Sequence, residues 1–69
     1  MKPATRRQMA NDFMEVRSRL SRYWGKRQID FWLQLKHPHL GMKSPAHTIH
    51  AGDAHRVHVL IDALEKQHG

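Results

Sequence analysis

Histidine is the residue with which this chain could do chemistry, and the stretch HPHLGMKSPAHTIHAGDAHRVH, residues 37–58, holds six of its seven. His47 and His50 are three residues apart, as are His55 and His58, while His37 and His39 flank Pro38. Imidazoles one helical turn apart are a spacing that zinc sites use. Such a site takes three or four converging ligands with supporting partners, and the chain has neither a cysteine nor a His-Glu-x-x-His motif. The expectation is therefore histidines that face solvent or cap helix ends locally, with no metal and no cofactor. Their ordinary pKa of about 6.5 still allows binding to depend on pH.

Other catalytic arrangements find no better support. With no cysteine there is no thiol nucleophile and no disulfide, which fits a reducing compartment, and the cytoplasm is the expected location. A histidine near Ser44 or Asp53 follows from abundance alone, because a triad is defined by geometry. The four glycines form neither common phosphate-loop pattern. At 69 residues there is room for one small core and little room for a deep pocket, so an enzyme is the least expected class. No run approaches the roughly 20 apolar residues of a membrane span, so no membrane is expected as a partner.

Charge is the second chemical feature. The formal net charge is +6, and it lies wholly in residues 1–28, where eight basic residues face only Asp12 and Glu15. Residues 29–69 balance four against four. Arg6, Arg7, Arg17, Arg19, Arg22, Lys26 and Arg27 are the candidates for a basic face. Such a face attracts phosphate backbones or acidic protein surfaces and speeds encounter without specifying the partner. A merely solvated basic face is the competing explanation.

These residues need elements to hold them. Met9, Phe13, Val16, Leu20 and Tyr23 recur at spacings of four and three, which predicts one stripe of a helix from about residue 5 to 23. Gly25 breaks the pattern. KRQIDFWLQLKH resumes it, with Ile29, Trp32, Leu33 and Leu35 as the buried side of a second helix and Phe31 on the other side. Pro38 should end that helix, because its ring disfavours helical geometry at His37. HPHLGMK then reads as a connecting loop. Ser44 followed by Pro45 predicts the cap and first residue of a short third helix. Gly52 should close it, and Asp53 should cap a last helix with Val57, Leu60, Ile61 and Leu64 on one side. No stretch alternates like a strand. The expected fold is all-α, a small single-domain bundle of about four helices spanning residues 1–69.

The succession of junctions is more specific than any one of them. Trp24 and Gly25, Trp32 and Leu33, Pro38, Leu40 and Gly41, Pro45, Gly52, Val57, Leu60, Leu64 and Gly69 fall in an order covering about two-thirds of the chain. In this order residues 23–69 resemble the C-terminal toxin-binding domain of the MbcA/ParS/Xre antitoxin family, standing alone without the N-terminal helix-turn-helix of Xre-type members. Residues 1–23 then form a basic amphipathic helix in front of it.

The resemblance implies a helical module that performs no chemistry, binds a cognate toxin of the RES-domain type, often as a homodimer, and blocks the toxin's NAD-consuming site. It also implies that the C-terminal segment, here Lys66, Gln67, His68 and Gly69, reaches toward that site. Trp24, at a helix end beside Gly25, is a further candidate contact, since tryptophan is favoured at binding hot spots, although core packing is the stronger expectation. Trp32, Leu33, Ile49, Val57, Leu60, Ile61 and Leu64 are expected in the core. Two other functions stay open. One is a small phage or mobile-element protein that binds and modulates a host protein. The other is a basic nucleic-acid-binding regulator that reads phosphates through the first helix.

Overall fold

The structure is a computed structural model that describes residues 5–68, apart from the side chain of His68. It contains four α-helices and one short 3-10 turn, and no strand is formed among the described residues. The protein is a small all-α domain. Its helices are α1 (Arg6–Leu20), α2 (Lys26–Gln34), α3 (Pro45–His50) and α4 (Ala54–His68), with the 3-10 turn Pro38–Leu40 between α2 and α3.

Each helix starts where local chemistry permits it. Thr5 caps α1 by accepting a hydrogen bond from the Gln8 amide at 3.1 Å, so one of the orphan amides of the first turn is satisfied. Ser44 does the same for α3, accepting from the His47 amide at 3.1 Å, and Pro45 occupies the first turn, where its missing amide costs nothing. Gly52, at φ 89°, closes α3 in the left-handed region, and Asp53 immediately precedes α4. By contrast Gly25, the N-cap residue of α2, offers no side-chain cap.

Helix α2 ends at Gln34, three residues before the place that Pro38 alone would set. His37 takes an extended conformation, and its amide donates to the Lys43 carbonyl at 3.1 Å in an isolated antiparallel bridge. Leu35 and Lys36 must leave the helix early for the chain to enter that bridge. Inside the bridged loop, Gly41 and Met42 are both left-handed, at φ 68° and 63°.

The core is built around α3, which packs against α1, α2 and α4. At six residues α3 is far too short to hold its own helical shape, so its conformation depends on burial. Ile49 is fully buried, Pro45 and Thr48 are buried beside it, and the Thr48 hydroxyl donates to the Ser44 carbonyl at 2.9 Å. Val16 and Leu20 enter from α1, Ile29, Trp32 and Leu33 from α2, and Ala54, Val57, Leu60 and Ile61 from α4. Leu40, from the 3-10 turn, completes the cluster. The Cα radius of gyration is 11.4 Å, near the roughly 11 Å of a compact chain of this length.

Two expectations are corrected, the reach of the first helical stripe to Tyr23 and the burial of Leu35 on the second helix. Tyr23 is 43 % exposed, because α1 stops at Leu20 and the chain turns before Tyr23 can continue the stripe. Leu35 is 38 % exposed, because it lies past the end of α2. Phe13 and Leu64 are partly buried against the core, and Phe31 lies on the outer side of α2 as its position predicts.

Candidate functional site

The carboxylates decide which cations remain for a partner. One guanidinium of α1, that of Arg19, holds three residues of α4: its Nη2 donates to Asp62 Oδ1 at 2.5 Å and to Glu65 Oε1 at 2.6 Å, and its Nη1 to His58 Nδ1 at 3.1 Å. An arginine can only donate, so His58 Nδ1 accepts and its ring proton sits on Nε2, 3.6 Å from Glu15 Oε2. Tyr23 adds a hydrogen bond from its hydroxyl to Glu65 Oε2 at 3.1 Å. The Arg19 guanidinium holds Asp62 and Glu65 below the usual carboxylate range, and the Glu65 hydrogen bond pushes Tyr23 up.

Arg17 is spent in the same way, on Asp30 of α2, and Arg56 Nε lies 3.9 Å from Asp53 Oδ2. Five of the six carboxylates therefore face a cation or His58 within the molecule, and Asp12 alone has no such partner among the described residues.

This divides the basic residues into two groups. Arg17 and Arg19 hold the helices together, so reversing their charge would disturb the fold as well as any partner. Arg6, Arg7, Arg22, Lys26 and Arg27 are exposed and have no ion pair among the described residues, and the same is true of Lys36, Lys43 and Lys66. Arg6 and Arg7 begin α1, whereas Arg22, Lys26 and Arg27 lie at the α1–α2 corner. A helix of fifteen residues, about 22 Å, separates the two sets.

Trp24 is partly buried against the core, with its ring centroid 6.0 Å from that of Trp32. Lys66 and Gln67 are exposed on the last turns of α4. The side chain of His68 and all of Gly69 lie outside the described residues.

The histidines scatter. His37 packs its ring 5.1 Å from that of Trp32, with Nε2 shut off from solvent and unpartnered among the described residues. His58 belongs to the Arg19 cluster, while His39 and His55 line a groove between the 3-10 turn and α4. Among the described residues no three His, Asp or Glu side chains converge as metal ligands.

The surface feature that sequence patterning missed is apolar. Met14, Phe31, Met42 and Val59 are 69, 67, 60 and 51 % exposed. Phe31 was legible as an outward position on α2. Met42 was not, since a methionine after Gly41 carries no sign that it will be held left-handed and outward. No described helix is long and apolar enough to cross a membrane. No family model matches the chain, and neither the curated proteins nor the solved structures provide a match.

Proposed function

We propose that this protein is a non-enzymatic protein-binding module, an antitoxin-like inhibitor whose partner is a toxin of the RES-domain type. The observation that carries the binding reading is the set of four large apolar side chains, each more than half exposed, on a domain of only 69 residues. Burying apolar side chains is the main favourable contribution to most protein association. Two of the four lie near cations with no ion pair among the described residues, Arg27 one turn before Phe31 and Lys43 beside Met42. The toxin reading rests on the resemblance of residues 23–69. Its junction residues take structural roles: Trp32, Leu33, Leu40, Val57 and Leu60 are core, and Pro45 and Gly52 open and close α3. The experiment compares the intact chain with one lacking Lys66 to Gly69 as inhibitors of NAD consumption by a RES-domain toxin. Inhibition by the intact chain and its relief by truncation are expected; equal inhibition would remove the C-terminal mechanism, and no inhibition would remove the toxin.

A second reading is favoured by the unpaired cations. Arg6, Arg7, Arg22, Lys26 and Arg27 suit phosphate contacts, and binding through them would weaken steeply with salt. An encounter with a host protein rather than a toxin would use the same exposed apolar residues.

A further inference from the structure

The outer side of α2 and the loop that follows it combine apolar exposure with unspent positive charge. Phe31, 67 % exposed, sits one turn after Arg27 on α2, and the exposed Leu35 follows just past the end of the helix. Beyond the end of the helix, Lys36, Met42 and Lys43 border one shallow depression of about 320 Å³ together with Gln34 and His47. The one carboxylate of α2, Asp30, is taken by Arg17. Arg27, Lys36 and Lys43 therefore have no acid partner among the described residues.

Met42 adds an independent observation. It is held at φ 63°, a backbone conformation that residues other than glycine rarely adopt, and it is 60 % exposed. Met42 belongs neither to the core cluster nor to the partly buried residues packed against it. Such strain concentrates at binding surfaces, where it fixes a side chain in place for a partner.

We infer that exposed Phe31 on α2 and Leu35 just past its end, together with the depression that Lys36, Met42 and Lys43 border beyond the helix and with Arg27 one turn before Phe31, form a docking site for an acidic amphipathic segment of a partner protein. The charge complement of Arg27, Lys36 and Lys43 is a row of carboxylates, and that of Phe31, Leu35 and Met42 is a strip of aliphatic side chains. A nucleic acid fits the surface less well: bases stack on aromatic rings, only one is offered, and Leu35 and Met42 give phosphates nothing. This inference rests on the protein-binding reading and names the surface and partner chemistry for it.

The test titrates the isotope-labelled full chain with an amphipathic peptide of leucines and glutamates. The comparators are the same peptide with serine for leucine, the same peptide with lysine for glutamate, and a single-stranded oligothymidylate. Amide shifts at Phe31, Leu35, Met42 and Lys43 with the leucine–glutamate peptide are expected. The Phe31→Ser/Met42→Asn variant should bind it about tenfold more weakly, as for loss of a central apolar anchor. Asparagine tolerates the left-handed backbone, so the fold is retained, and an unchanged circular dichroism melt verifies this. Absence of binding, shifts confined to other surfaces, equal binding of the serine peptide, or stronger shifts at these amides from the oligothymidylate would each overturn the inference. A natural protein partner captured equally by wild type and variant would also overturn it, while leaving the protein-binding reading in place.

Discussion

Arg19 Nη1 lies 3.1 Å from His58 Nδ1, and the other nitrogen of the same guanidinium reaches Asp62 and Glu65, so one side chain of the first helix clasps three residues of the last. The clasp is local in space and 39 to 46 residues long in sequence. It adds a polar link to the packing of α1 against α4 that buried Val16 and Leu20 provide.

Replacing Arg19 should loosen α1 from α4. Arg19→Met retains much of the side chain's apolar length and removes the fork of donors, and Arg19→Lys keeps the charge without the paired geometry. Both variants should melt below the wild type, with methionine lower than lysine. Because Asp62 is solvent-exposed and Glu65 and Arg19 are only partly buried, the loss should be smaller than for a core truncation. Thermal melts followed by circular dichroism measure the order.

The same clasp sets an acid dependence. Asp62 and Glu65 are held below their ordinary values in the folded state, chiefly by the hydrogen bonds from Arg19. Their contribution is present above the unfolded values, about 4, and is lost as pH falls through the lower folded values. Wild-type stability should therefore drop below about pH 4 more steeply than that of Arg19→Met, as measured by urea titrations at stepped pH. Parallel curves for the two proteins would show that the clasp does not contribute.

Ile49 should be the most sensitive position in the core. It is fully buried on a six-residue helix that touches all three others. Ile49→Ala should cost about 2–5 kcal/mol, comparable with the whole stability of a domain this size at roughly 0.05–0.15 kcal/mol per residue. The variant should lose its cooperative melt. A melt within a few degrees of wild type would mean that α3 is not the hub of the packing.

Met42→Gly should move stability and binding in opposite directions. Glycine relieves the left-handed strain and should stabilise the fold by about 1 kcal/mol, while removing an exposed side chain of the docking surface. A higher melting temperature with weaker binding of the leucine–glutamate peptide is the expected pair of results.

Much of this architecture was legible from residue order. Ser44 and Pro45 marked the start of α3, Gly52 its end, and Val57, Leu60 and Ile61 the inner side of α4, because caps and periodicity are local physics. What periodicity missed is set by distant contacts. Leu35 continues an apolar run but is outside the helix because the His37–Lys43 bridge pulls the chain away. Arg17 and Arg19 belong by spacing to the basic face, and only the packing of α2 and α4 shows that Asp30, Asp62 and Glu65 hold them. The exposure of Met42 follows from a backbone conformation that no residue pattern announced.

The central claim is that this chain works by binding a protein. Its most direct test is a pull-down of the tagged full chain from its native host lysate, treated with nuclease, at low and moderate salt, with the captured material identified by mass spectrometry. A stoichiometric protein that survives nuclease and moderate salt, and is lost with Phe31→Ser/Met42→Asn, is the predicted result; a RES-domain protein in that position would carry the antitoxin reading as well. Recovery of nucleic acid alone, released as salt rises, would contradict the claim and make Arg6, Arg7, Arg22, Lys26 and Arg27 the functional residues.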